Sequence, residues 1–168
     1  MKIIRNKVFE VNSSSCHSIS VSDNKSTYAQ VHLNDEGIFY IGSDDFGWAI
    51  DEHSDYSTKC AYLAIYIRDW CGDKLKEFKD VFEECIRKYT LCYRIQYEEN
   101  FWKKELKSYG DGESYLVSLG DGYIDHQSVE DQDFHYLFDS NHPDYNEGEL
   151  KNFLFNYSSV LITDNDNH

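Results

Sequence analysis

The chain has no apolar run approaching the roughly 18 residues that cross a bilayer. Its charged, Ser-rich start also lacks the apolar core of a secretory signal. A soluble, cytoplasmic protein with no membrane partner is therefore expected. The five cysteines, Cys16, Cys60, Cys71, Cys85 and Cys92, are odd in number and include no Cys-x-x-Cys pair. That argues against a disulfide framework or a zinc knuckle and predicts reduced thiols. Basic side chains are scarce: 16 Lys and Arg stand against 31 Asp and Glu, a formal net charge of -15. Such a field repels nucleic-acid backbones and membrane surfaces, so no direct nucleic-acid binding is expected. It leaves room for a locally basic pocket that takes a small anion, for an acidic face that competes with nucleic acid for a basic partner, or for charge that only keeps the chain soluble.

What is abundant is ring area. Aromatic residues make up 16% of the 168 residues, through 14 Tyr, 10 Phe and 3 Trp, too much for a disordered chain despite the charge. The length suits one globular domain over 1–168, with a polar tail at 164–168. Lys2 to Val11 and Ile19 to Ser22 read as strands; Tyr28 to Leu33 and Ile38 to Ile41 form an alternating pair around Asn34-Asp35-Glu36-Gly37, which predicts a four-stranded antiparallel sheet. Apolar residues recur three and four apart from Ser57 to Cys71 and again from Leu75 to Tyr89, with Gly72 placed to end one helix and Asp73 to cap the next. This helical hairpin is expected to lie over the sheet, its cysteines acting as small hydrophobes. Further on, Leu91 to Tyr97 alternates like a strand or else extends the preceding helix, and a short helix is expected around Asn100 to Ser108. Hairpin strands bracketed by Gly110-Asp111-Gly112 and Gly120-Asp121-Gly122 follow, then short helices near Ser128 to Phe138 and Gly148 to Tyr157, and a closing strand at Ser159 to Thr163. The fold class is α+β: an antiparallel sheet with a packed helical hairpin and short extra helices.

Between the first two apolar runs stands Asn12-Ser13-Ser14-Ser15-Cys16-His17-Ser18, longer and richer in donors than a tight turn needs. Its amides and hydroxyls could hold phosphate oxygens in a backbone nest. Cys16 and His17 suggest a thiol and its base, but adjacent residues of a strand point to opposite faces, which moves the emphasis to His17 and the serines. The plain alternative is a Ser/Asn-rich loop that satisfies its own backbone. A second cluster, Asp125-His126-Gln127-Ser128, follows an apparent strand. Its His126-Gln127-Ser128-Val129 fits the His-x-Ser/Thr-apolar pattern of two-histidine phosphoesterases, whereas the first loop departs from it at Ile19. Ser128 capping a helix is the simpler reading there. His135, His142, Asp139 and Asp144 show no firm metal spacing, and the Gly-Asp-Gly turns lack the carboxylates of a calcium loop, so neither metal nor cofactor is expected.

Lys7 to Ser18 resembles the N-terminal signature of a loose group of small phage and bacterial proteins, a strand ending in Val-Phe-Glu-Thr-Asn-Ser-Ser-Ser-x-His-Ser, with Val11 in place of the Thr. Phe46-Gly47-Trp48 and Tyr123 to Ser128 are similar to further segments of that group. The resemblance covers about a fifth of the chain and carries no settled activity. It implies that the three loops converge on one site and that the source is a phage or mobile element, acting in the host cytoplasm. The reading that follows is an anti-defence accessory protein binding a phosphorylated small molecule such as a nucleotide signal. Asn12, Ser13, Ser14, Ser15 and Ser18 would hold phosphate, His17 and His126 would donate hydrogen bonds, Trp48 would stack on a base, and Asp125 and Ser128 would complete the pocket. Two alternatives stand beside it: an acidic inhibitor docking on a nucleic-acid-binding host protein, and a phosphodiesterase with His17 and His126 as catalytic acid and base.

Overall fold

Ten consecutive residues of one helix, Lys59 to Arg68, are buried, and the other elements are arranged around them. The computed structural model describes residues 2–4, 17–47, 51–108, 114–125 and 133–163. The central helix, α1 (Tyr56–Trp70), starts at Asp55, whose carboxylate accepts the Thr58 N–H at 2.8 Å and the Ser57 hydroxyl at 2.7 Å. Burial opposes ionisation of Asp55, yet these bonds outweigh it and hold the carboxyl below its ordinary range. The sequence pattern predicts one apolar face on this helix. The structure buries it all round, because the intervening positions are filled by Ala61, Tyr62, Ile65 and Tyr66, which meet other elements on every side.

α2 (Leu75–Thr90) keeps to its predicted stripe: Phe78, Phe82 and Ile86 are buried, and Leu75, Val81, Cys85 and Tyr89 pack against them. Its outer face carries the ion pairs Lys74–Glu77, Lys76–Asp80, Arg87–Glu83 and Lys88–Glu84 at helical spacing. Asp73 is not the predicted cap. It lies in a 3-10 turn, Gly72–Lys74, that runs directly into α2 with helical backbone at Lys74, so no capping side chain is used. Cys60 and Cys71 are buried and Cys85 is largely so; burial pushes the Cys71 and Cys85 thiols up to about 12, as expected of packing groups.

The main sheet is antiparallel and four-stranded, as predicted, but it recruits different strands. β1 (Lys2–Ile4) pairs with β2 (Ser18–Ser22), β2 with β10 (Val160–Thr163), and β10 with β5 (Asp51–His53). The closing strand therefore lies inside the sheet. Residues 28–33 form no strand among the described residues. Tyr28 makes one bridge to Asn156, the Ala29 N–H donates to Phe155 O at 2.7 Å, and the Tyr89 hydroxyl donates to Ala29 O at 2.9 Å. The end of helix α3 (Glu149–Phe155) has taken the backbone groups that a hairpin would have used. The turn at Asn34 does form, its side chain accepting from Glu36 and Ile38 N–H, but β3 (Ile38–Ile41) then pairs in parallel with β6 (Arg94–Tyr97).

The predicted helix over 100–108 is instead β7 (Lys104–Ser108), in a hairpin with β8 (Ser114–Ser118). Lys-Glu-Leu-Lys-Ser has one apolar residue and no stripe to bury, so pairing decides its form. The strand expected after Gly120-Asp121-Gly122, β9 (Tyr123–Ile124), pairs in parallel with β4 (Asp45–Phe46) rather than with β8. Of the short helix predicted near Ser128 to Phe138, the described end carries a 3-10 turn, His135–Leu137, and residues 128–132 lie outside the described residues. The turn at Gly110-Asp111-Gly112 lies outside the described residues.

Arg68 explains why the chain turns away after β8. Its guanidinium donates to Asp121 O at 2.8 Å and Gly122 O at 2.6 Å, reaches Gly120 O at 3.4 Å, pairs with Asp69 at 2.7 Å and lies 4.8 Å above the Phe101 ring. The Gly-Asp-Gly turn is thus a ring of carbonyls around a buried cation. Gly122 has φ +80, and a Cβ on Gly120 would stand 2.4 Å from Phe101 Cα. Replacing Arg68 by Met keeps the stem but strands these carbonyls and Asp69. Urea unfolding should show a loss on the order of 3 kcal/mol, whereas Lys76→Ala on the exposed face of α2 should leave the midpoint essentially unchanged.

Candidate functional site

A polar cleft opens where the parallel β4–β9 pair meets the edge of the main sheet. Asp45 lies opposite Tyr123 and Phe46 opposite Ile124, and the Asp125 N–H continues the pairing by donating to Phe46 O at 2.9 Å. On the sheet side, Asp51 on β5 is opposite Thr163 on β10. The cleft between them has a volume of about 390 Å³. Asp44, Asp45 and Asp51 line it, with His53, Tyr123 and Thr163. Phe46 and Gly47 complete the lining.

Aromatic contacts connect this cleft to the first sequence motif. The Phe46 ring meets His53 at 5.9 Å and Tyr62 at 5.0 Å, both edge-on, and Tyr62 in turn lies 5.7 Å from the His17 ring. The Tyr62 hydroxyl and His17 Nδ1 are hydrogen-bonded at 3.1 Å. His17 is completely buried, at the point where the Ser-rich run enters β2. Burial lowers its pKa from 6.5 to about 4; the Asp125 carboxylate opposes that shift and His53 adds to it. His17 is therefore neutral at pH 7.

Of the residues singled out from sequence, the structure brings His17 and Asp125 into electrostatic reach of each other, on either side of the Phe46–Tyr62 contact. Ser18 is a half-buried strand residue opposite Ile162, one position from His17. Asn12, Ser13, Ser14, Ser15, Trp48, His126 and Ser128 lie outside the described residues, as does Cys16. The described ends of all three loops thus border one region. Tyr123 stood in a segment already marked by sequence, and Asp44 and Asp45 immediately precede the marked Phe46-Gly47. Asp51, His53, Thr163 and Tyr62 did not, because strand pairing and helix burial bring them in from positions that no motif marks.

Among the described residues no group of three or more His, Cys, Asp and Glu is arranged to hold a metal ion. The histidines farther along serve the local chain. His142 Nε2 meets Asp133 at 3.0 Å, and its Nδ1 accepts the Asp144 N–H, closing the loop that contains Pro143. No helix among the described residues is long and apolar enough to cross a membrane.

The buried imidazole makes a pH prediction. Its folded pKa lies below the 6.5 of an exposed imidazole, so on acidification the unfolded chain takes up this proton first. The contribution of neutral His17 is complete above about pH 6.5 and is lost as pH falls towards 4, on the order of 3 kcal/mol over the full window. Urea melts of wild type and His17→Gln should converge by about that amount between pH 7 and 4, while carboxylate titrations common to both cancel. A constant difference would show that His17 does not titrate in this way. Comparison of the chain with protein-family models, with curated proteins and with solved structures gives no match.

Proposed function

We propose that this chain is a phage-type accessory protein that modulates a host defence system in the host cytoplasm by binding a phosphorylated small ligand, such as a nucleotide signal. The observation that carries the reading is the meeting of His17, Phe46–Gly47 and Asp125, from three distant stretches of sequence, beside a cleft of about 390 Å³. Aspartates 44, 45 and 51 would repel phosphate but accept hydrogen bonds from ribose hydroxyls and base amines, and the partly exposed Tyr123 ring offers a stacking surface. The nucleoside then belongs in the acidic cleft and the phosphate with the neutral donors of Ser13, Ser14 and Ser15. Binding is favoured over a phosphodiesterase because His17 is completely buried, and being neutral at pH 7 it would be left the general-base role alone.

A panel of nucleotides and cyclic dinucleotides tests this. At tenfold excess over Kd the ligand should stabilise the chain by about 1.4 kcal/mol, a Tm rise of roughly 3–6 °C for this size. Gly47→Ala is the matched variant. Its Cβ would stand 2.9 Å from the Tyr123 hydroxyl, a flexible end that can shift aside. Native Tm with a reduced ligand shift is expected; no response of the wild type to millimolar ligand would sink the reading.

A second reading, an acidic inhibitor of a basic nucleic-acid-binding host protein, has its own support. Lys151 is the single Lys or Arg after Lys107, against thirteen Asp and Glu. The acids of α2, by contrast, are largely neutralised within the helix. The contact face would then be the C-terminal third and not the helices. A host-lysate pull-down should lose its partner steeply between low and physiological salt, and Lys-for-Asp exchange at Asp139 and Asp144 should weaken it at fixed salt. A salt-indifferent partner would count against it.

A further inference from the structure

The β7–β8 hairpin carries its apolar side chains outward. Leu106 and Leu116 are directly opposite each other across the two strands and are 63% and 67% exposed. An isolated two-stranded ribbon with a bare apolar face is marginal in water and usually acquires a third strand or a covering element. Among the described residues β7 pairs with β8 alone. The base of the ribbon is anchored, since the Ser118 hydroxyl donates to Asp69 at 2.5 Å, whereas Leu106, Lys107 and Ser108 are exposed.

The sequence of β7 indicates what covers it. Lys104-Glu105-Leu106-Lys107-Ser108 has opposite charges one residue either side of its central Leu. If two copies of β7 meet edge to edge, antiparallel about a two-fold axis at Leu106, Glu105 of each copy falls opposite Lys107 of the other. The axis doubles every contact, giving two such charge pairs on one face and Leu116, Leu106, Leu106 and Leu116 in a row on the other. Parallel or shifted pairings lose the match. From Lys103 to Ser118 the three lysines Lys103, Lys104 and Lys107 balance Glu105, Asp111 and Glu113, so this segment is neutral in a chain of net charge -15 and two copies meet there with less repulsion than its net charge implies.

We infer that this hairpin is a self-association surface through which two copies of the chain form a four-stranded sheet across the two-fold axis at Leu106. The contact is small, in the class of weak and concentration-dependent interfaces.

Sedimentation velocity of the full chain from about 5 to about 500 µM at physiological salt reads this directly. The mass should rise from 19.8 kDa towards twice that value. Leu106→Asp should hold the chain at the monomer mass. Glu105→Lys or Lys107→Glu alone places like charges opposite each other twice and should weaken association roughly tenfold. The double exchange Glu105→Lys with Lys107→Glu restores the match and should return the affinity to within about threefold of wild type. All three positions are exposed, and unchanged thermal melts confirm that each variant is folded. A wild-type chain that stays monomeric throughout, leaving the patch to some other partner, overturns the inference. So does a dimer indifferent to these exchanges, or one that the double exchange fails to rescue.

Discussion

Two cations buried on one helix organise this molecule. Lys59 and Arg68 stand at opposite ends of the buried stretch of α1, and each donates to backbone carbonyls of another element, with Asp69 supplying the counter-charge of Arg68. Lys59 Nζ donates to Asn156 O at 2.9 Å and Ser159 O at 3.0 Å, where α3 ends and β10 begins. Burial lowers this ammonium to about 8, a sign of how little water it retains. Cations at a helix C-terminus are favoured by the exposed carbonyl dipoles there. Arg68 does the corresponding work at the Gly120–Gly122 turn. Leaving either cation unpaired in the interior would be costly, so the helix can be buried only when both distant segments are in place.

The neighbourhood of Lys59 shows how far this constraint extends. Asn156 is fully buried, donates to Ser22 O and Asn24 O, and accepts from the Thr27 hydroxyl and Ser158 N–H. Ser159 accepts the Ser22 N–H and donates to Asn152 O. One polar knot therefore locks the end of β2, the turn after it, the end of α3 and the start of β10. The same knot positions β10 between β2 and β5 and so forms the sheet edge on which Asp51, His53 and Thr163 face the cleft. The proposed site depends on it without containing any part of it.

Local chemistry was legible from residue order. The stripe Phe78, Phe82, Ile86 specified α2, the turn at Asn34 formed through its own side chain, and residues 94–97 and 160–163 were strands where alternation placed them. Pairing was not legible. β3 and β4 both found parallel partners far along the chain, and residues 28–33 gave up their alternation to the end of α3. Alternation reports that a segment can be half-buried and extended; it carries no record of which edge will satisfy its N–H and C=O groups. The helix expected over 100–108 failed for a related reason, since a polar segment without a stripe takes the form its neighbour offers.

The site divides along the same line. Sequence by itself determined the charge of the chain, its α+β class, its reduced and packing-type cysteines on α1 and α2, and the interest of His17, Phe46–Gly47 and Asp125 as unusual chemistry at strand ends. Tertiary structure alone decided that Tyr62, from the middle of an apparently apolar helix, would bridge His17 and Phe46, and that Asp51, His53 and Thr163 would join the acidic wall. It also decided that His17 would be neutral, because a histidine's pKa follows from how much water and charge the fold leaves around it. Residue type sets what a side chain can do, whereas burial and long-range pairing, which depend on contacts between distant segments, set what it does.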